Sequence, residues 1–196
     1  MNDEKAEDLE IVSQVLLGKT ELFGKIVKRY EVAVRSFCKG ILRDEHLAED
    51  AAQDVFIKAF QRLSSFKGDA KFSTWLFRIT RNHCIDLLRT TKRRATDSLD
   101  EKRELGEIGG SVTASDQGDQ LNARQTLLQV LSELSNEERE VLLLRELQGY
   151  SYEEIADITG NSLNSLKGKL KRVRAKVLKI SRHQDTQSDV RMLRSE

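Results

Sequence analysis

Residues 151–179 read SYEEIADITGNSLNSLKGKLKRVRAKVLK, and the rest of the chain is best read outward from them. Ser151 followed by Glu154 has the S-x-x-E spacing of a capping box, which satisfies two orphan amides and opens a helix. Ile155, Ala156 and Ile158 supply its inward face, and Thr159-Gly160-Asn161 stops it, because glycine tolerates the left-handed backbone that often follows a helix end. Ser162 is placed to cap a second helix, in which Leu163, Leu166, Leu170, Val173 and Val177 recur at steps of three and four. Its charges are Lys167, Lys169, Lys171, Arg172, Arg174, Lys176 and Lys179, with no acid among them. Two short helices around a glycine turn, the second basic, are the pattern of a helix-turn-helix with its recognition helix. The plainer alternative is a helical hairpin with a solvated basic face.

Upstream, Ser135 and Glu138 form another capping box, opening a helix with Val141, Leu142, Leu144 and Leu147 that ends near Gly149. Leu121, Leu127, Leu128, Val130, Leu131 and Leu134 predict one more helix before it. Between Asp97 and Asp119 the periodicity fails: seven acids oppose two cations, leaving −5, among glycines and serines. That stretch reads as a flexible acidic linker. Before it, KFSTWLFRITRNHCIDLLRTTKRR (71–94) carries seven cations against Asp86 alone, a net +6. Arg78, Arg81, Asn82 and Arg89 fall near one face, and Trp75 with Leu76 and Ile79 supplies apolar contacts. Cations meet phosphates and rings stack on unpaired bases, so this face suits nucleic acid, although a lone tryptophan is more often core.

Phe66–Lys71 breaks the pattern as a loop, and a helix is predicted to begin at Asp44. In that helix Leu47, Ala51, Val55 and Ala59, with Ala52, Phe56, Phe60 and Leu63, face a core. Asp50, Gln53, Asp54 and Ile57 form a separate stripe, either solvated or a docking face, since a polar rim beside an apolar contact is common at interfaces. Leu22 to about Leu42 is another amphipathic helix, with Thr20 as its expected cap, and Leu9, Val12, Leu16 and Leu17 mark a short one ending at Gly18. The tail from His183 is polar and is expected to lie outside the packed fold.

Composition sets the outer limits. The chain has 196 residues, 33% charged and 6% aromatic, so its core is aliphatic and modest. No stretch approaches the roughly 18 apolar residues of a membrane span, and the acidic start lacks the basic, apolar pattern of a secretion signal. Cys38 and Cys84, two and far apart, fit buried thiols in a reducing cytoplasm better than a disulfide framework or a zinc site. His83 has no ligand partner nearby in sequence, and no convergent nucleophile, base or metal set stands out. With no proline anywhere, an all-α fold is expected: two small helical domains, 1–95 and 121–182, a linker at 96–120, and a tail at 183–196.

The segments AEDAAQDVFIKAFQRL, FKGDAKFSTWLFRITRNHCIDLLR and LSNEEREVLLLRELQGYSYEEIADITGNSLNSLKGKLKRVRAK strongly resemble, in this order, the extracytoplasmic-function sigma factors. These are the compact two-domain class of bacterial sigma factors, and the likeness spans about residues 9–182. The resemblance implies a non-catalytic, cofactor-free initiation subunit in the cytoplasm, serving a stress response, whose partners are core RNA polymerase, promoter DNA and an anti-sigma factor. It implies that Asp50, Gln53 and Asp54, with Ile57 beside them, dock on the polymerase. It implies that Phe66, Lys71, Trp75, Arg78, Arg81, Asn82 and Arg89 read and melt the −10 element. It further implies that Ser162, Asn164, Ser165, Lys167, Gly168, Lys169, Lys171 and Arg172 enter the −35 major groove.

Two departures from the family pattern stand out. Ser135 occupies a position where proline is usual and still caps, and NSLKGKL stands where relatives read close to GTVKSRL. Gly168 within a helix costs about 1 kcal/mol relative to alanine. The linker residues reach about 75–80 Å fully extended but average only about 25–30 Å as free coil. Promoter elements stand roughly 55–60 Å apart, so a scaffold such as core polymerase must hold the linker open. A plain DNA-binding regulator would leave the Asp50-Gln53-Asp54 stripe without a role. A mimic that only titrates an anti-sigma factor would have no use for the basic faces.

Overall fold

Helices make up every regular element of the computed structural model, and no strand occurs among the described residues, 2–97 and 131–192 (side chains 6–93 and 131–179). The chain divides into two units, Met1–Gly110 with Glu153–Gly160, and Ser111–Tyr152 with Asn161–Glu196. Nearly all of the acidic linker, and the helix expected from Leu121 up to residue 130, lie outside the described residues.

In the first unit α1 (Asn2–Leu16), α2 (Phe23–Leu42), α3 (Glu45–Gln61) and α4 (Phe72–Asp97) surround one core. Ala48, Ala51, Ala52 and Ala59 are the buried residues of α3 together with Val55 and Phe56, and such small side chains let neighbouring helices approach closely. Against them α2 turns Ile26, Val34, Phe37, Cys38 and Ile41, and α4 turns Phe72, Leu76, Phe77 and Cys84. Phe37 and Phe77 meet edge to face with centroids 5.6 Å apart, a favoured aromatic geometry. Asp44 caps α3 by accepting from the Leu47 amide at 2.9 Å, as its position predicted. The expected Thr20 cap is replaced: Thr20–Leu22 form a 3-10 turn, and α2 starts after Leu22 with no side-chain cap.

α1 is held by a buried acid that the sequence pattern did not single out. Asp8 is 2% exposed and accepts from the Tyr30 hydroxyl at 2.5 Å and from Arg29, which also pairs with Glu7 at 2.6 Å. Asp8→Ala is expected to cost about 2 kcal/mol, because it removes the buried acceptor of two hydrogen bonds that tie α1 to α2. Urea unfolding of the two proteins side by side measures it, and a loss below about 0.5 kcal/mol would show that α1 does not need this anchor.

In the second unit, α5 (Asn136–Leu142) opens with the capping box that the sequence predicted. Ser135 Oγ accepts from the Glu138 amide at 3.3 Å, and Glu138 accepts from the Ser135 amide at 3.0 Å. A π-helical turn, Leu143–Leu147, follows in place of the continuous helix expected, before Gly149 ends the element at φ +72°. α6 (Tyr152–Thr159), which from Glu153 on groups with the first unit, and α7 (Leu163–Met192), which belongs to the second, flank Gly160, also at φ +72°, and Ser162 Oγ accepts from the Ser165 amide at 3.3 Å. The helix–turn–helix order predicted for this stretch is therefore present. Leu134 and Val173, packed with Leu142 and Val177, tie α7 to its unit. α7 runs on to Met192, past the start of the polar tail at His183, and no glycine or proline follows Gly168 to end it sooner. Among the described residues no helix is long and apolar enough to cross a membrane.

Candidate nucleic-acid and polymerase interfaces

The outward face of α3 is built by its own periodicity. Once its alanines and Val55 are buried, Asp50, Gln53, Asp54 and Ile57 must turn outward; all four are exposed, Ile57 by 55%. Phe60, one turn on, is 41% exposed and leans edge-on against Phe23 at 5.1 Å. Acids and an amide therefore flank an apolar strip of Ile57 and Phe60, an arrangement suited to a basic partner with an apolar centre.

On the adjoining side of α3 lies a cleft of about 240 Å³ between that helix and α4. Lys58 enters it from α3, Arg62 from the residue that ends α3, and Trp75, Arg78, Asn82, His83 and the acid Asp86 from α4, so three cations and one carboxylate line a half-exposed ring. Of the residues predicted for strand contact, the fold thus brings together Trp75, Arg78 and Asn82. Phe66 is instead buried, packing on Phe72 at 5.3 Å and Trp75 at 5.5 Å, where it supports the tryptophan. Lys71 is half-buried at the start of α4, and Arg81 is half-buried with one guanidinium nitrogen 3.3 Å from Asn82 Oδ1. Arg89, two turns along, is exposed and pairs with Asp86 at 3.6 Å. The sequence pattern did not single out Lys58 and Arg62, because they lie on and just past the end of α3 and only helix packing turns them toward α4.

His83 joins the outward face of α3 to the cleft. Its Nδ1 accepts from Lys58 Nζ at 2.5 Å, and its Nε2 lies 3.3 Å from Asp54 Oδ2. Burial first, and then the Lys58 ammonium, hold its pKa below the ordinary 6.5, outweighing the opposite pull of Asp54 and Asp86. In acid the unfolded chain takes up a proton that the folded chain refuses. Stability is therefore expected to fall as pH drops through about 6.5, and to stop falling on this account once pH passes below the folded value. Thermal melts at pH 7.5, 6.5 and 5.5 should show that decline in the native chain and a shallower one in His83→Gln. Parallel slopes in the two proteins would remove His83 as its source.

In α7 the buried residues Leu166, Leu170 and Val173 define the inner face, so Asn164, Ser165, Lys167, Lys171 and Arg172 lie exposed on the other. Ser162 is exposed as well and acts as the cap. Lys169 is placed differently: its side chain is 14% exposed, 2.5 Å from Glu137 and 3.2 Å from Asn161. Lys176 pairs with Glu138 at 2.7 Å and Arg174 with Glu146 at 3.0 Å. The hydrogen bond from Lys176, more than any other cause, lowers the Glu138 pKa. A Cβ added at Gly168 would meet only the far end of Arg172, at 3.8 Å, so nothing inside the unit requires glycine there.

Comparison with known proteins agrees with this geometry. Residues 26–94 match sigma-70 region 2, and residues 124–177 match sigma-70 region 4. The RNA polymerase sigma factor CnrH of Cupriavidus metallidurans is 34% identical over 184 residues, covering 90% of this chain and 95% of that protein. The ECF RNA polymerase sigma-E factor of Escherichia coli K12 is 32% identical over 177 residues, covering 87% and 92%. Among solved structures, CnrH in complex with the cytosolic domain of CnrY gives a TM-score of 0.66 at 26% identity, covering 88% of this chain and 96% of that one. The sigma factor RpoE of Bartonella quintana, in complex with the anti-sigma factor NepR, gives 0.68 at 27%, covering 82% and 96%. Two helical segments that match regions 2 and 4 in order, in register with such relatives over most of their length, place this chain in the extracytoplasmic-function sigma factors, transcription initiation factors of the sigma-70 family.

Proposed function

We propose that this chain docks on core RNA polymerase through Asp50, Gln53, Asp54 and Ile57, and directs it to promoters by reading a −35 and a −10 element and opening the latter. The observation that carries the reading is the double use of α3, which presents exposed acids beside Ile57 outward while it and the residue that ends it send Lys58 and Arg62 into the cleft with Trp75 and Arg78. Protein docking and strand capture then occur on one rigid helix pair, where cations hold phosphate and the tryptophan face offers a stacking platform for an unpaired base. The segment 96–120 acts as the linker between a promoter-opening domain, 1–95, and a −35 domain, 121–182. Phosphodiester chemistry stays with the polymerase, and this chain contributes positioning in the cytoplasm. An anti-sigma factor is its second partner, in keeping with the partnered states of the CnrH and RpoE structures.

In the −35 domain, exposed Lys167, Lys171 and Arg172 supply groove and phosphate contacts. Lys169, held by Glu137, orients the helix from behind. Lys167→Ala and Lys171→Ala should each weaken promoter binding about 10-fold and reduce the salt slope by about one, with core affinity unchanged. Lys169→Ala should leave the salt slope nearly as it was. Equal slope changes at all three lysines would return Lys169 to the contact set, and an equal loss of core affinity would remove α7 from promoter reading. The direct test of the whole reading is run-off transcription by bacterial core polymerase on fragmented genomic DNA. Start sites that appear only with this chain support it; none appearing, despite core binding, would overturn it.

A further inference from the structure

Cys38 on α2 and Cys84 on α4, 46 residues apart in sequence, bring their Sγ atoms to 3.6 Å, and both residues are fully buried. We propose that this pair is a modification site, at which a hydroperoxide converts the two thiols into an intramolecular disulfide joining α2 to α4. A disulfide needs an S–S separation of about 2.05 Å, so the sulfurs have about 1.5 Å to close, a movement on the scale of side-chain rotation and small helix shifts.

Access comes from the end of α2. Cys38 stands four residues before the last residue of that helix, Leu42, and the helix is closed by Arg43 at φ +62°. A non-glycine residue in the left-handed region is strained, and helix ends open at lower free energy than the middle of a bundle. Cys84 lies well inside α4, so Cys38 meets the oxidant first. The Cys38 sulfur takes the outer oxygen of the hydroperoxide, giving a sulfenic acid and releasing an alcohol, or water from hydrogen peroxide. The Cys84 sulfur then attacks the Cys38 sulfur, and the hydroxyl leaves as water with the Cys84 proton. Two thiols and one hydroperoxide thus give one disulfide, one alcohol and one water. A resolving thiol at contact distance is what diverts a sulfenic acid from irreversible oxidation, and thiol exchange with a small reductant reverses the bond.

The cross-link closes a long loop, which restricts the unfolded chain. It also fixes the backbone next to His83, which lines the α3–α4 cleft. Neither polymerase nor DNA is needed for the disulfide to form.

The experiment treats the full chain with cumene hydroperoxide, blocks remaining thiols under denaturing conditions, and digests it without reduction. A peptide pair linked through Cys38 and Cys84 is expected, absent from Cys38→Ser and from Cys84→Ser. In Cys84→Ser, dimedone should trap a sulfenic acid on Cys38. Oxidation should raise the melting temperature by at least about 5 °C, and dithiothreitol should restore the original value. Sub-denaturing urea should speed the reaction, because opening of the helix end admits the oxidant. If both thiols remain fully blockable after exposure that oxidises a cysteine peptide, or if only intermolecular links form, the proposal is overturned.

Discussion

Asp50→Arg combined with Asp54→Arg is expected to lower affinity for core polymerase at least about 100-fold while the far-ultraviolet circular dichroism stays that of the native chain. Each substitution removes a favourable charge and installs a like one against a basic partner, and like-charge juxtaposition at an interface costs several kcal/mol. About 1.4 kcal/mol already gives a factor of ten, so two such positions pass a hundredfold readily. Both carboxylates are exposed, so the helix keeps its core; only the contact of Asp54 with His83 is lost inside the protein. Gln53→Ala serves as the graded comparison and should cost less than tenfold. Core affinity unchanged in the double variant would end the docking assignment, whatever happened to DNA binding.

Arg139→Ala is expected to destabilise the second unit by about 3 kcal/mol, read from chemical denaturation. The side chain is 2% exposed, and its guanidinium donates to the Leu131 carbonyl at 2.6 and 2.9 Å and to the Leu134 carbonyl at 3.0 Å. These acceptors lie on the segment just before α5, so one planar fork ties that segment to the helix that follows. Truncation leaves buried acceptors unsatisfied, at roughly 1–3 kcal/mol each, and a cavity besides. Arg139→Lys should recover less than half, because an ammonium on a flexible stem lacks the fork geometry. A loss below about 1 kcal/mol in Arg139→Ala would mean that water or a neighbour replaces those bonds.

The features legible in the sequence were those encoded by local spacing. Ser135-Glu138 and Asp44 formed their caps, Gly149 and Gly160 took positive φ, and Leu166, Leu170 and Val173 turned inward, because each depends on residues within about two turns. What stayed hidden depends on which helix packs against which. Lys58 and Arg62 read as ordinary solvated cations of α3 until α4 is laid beside them. Asp8 looked like one acid among five at the start of the chain, yet Tyr30 and Arg29 cover it and leave it 2% exposed. Phe66, expected at the strand, is drawn inward by Phe72 and Trp75, since three rings bury more apolar surface together than one would in a loop. The helical run from Leu142 to Leu147 was predicted as regular. The π turn shifts its phase, which leaves Leu147 56% exposed although Leu143 and Leu144 are buried.

The ion pairs behind α7 bear on kinetics as well as stability. Glu137, Glu138 and Glu146 pair with Lys169, Lys176 and Arg174 along the two edges of the buried face of α7, while Lys167, Lys171 and Arg172 stay exposed and have no acid partner among the described residues. On the proposed −35 role, the described part of α7 thus carries its excess positive charge on the side that would meet DNA. Approaching a duplex, it experiences a torque that turns the cations forward and the acids away, so a larger share of diffusive encounters arrive correctly oriented. A uniformly basic helix would be held as strongly in the wrong orientations as in the right one, and its search along nonspecific DNA would be slowed by every such arrest.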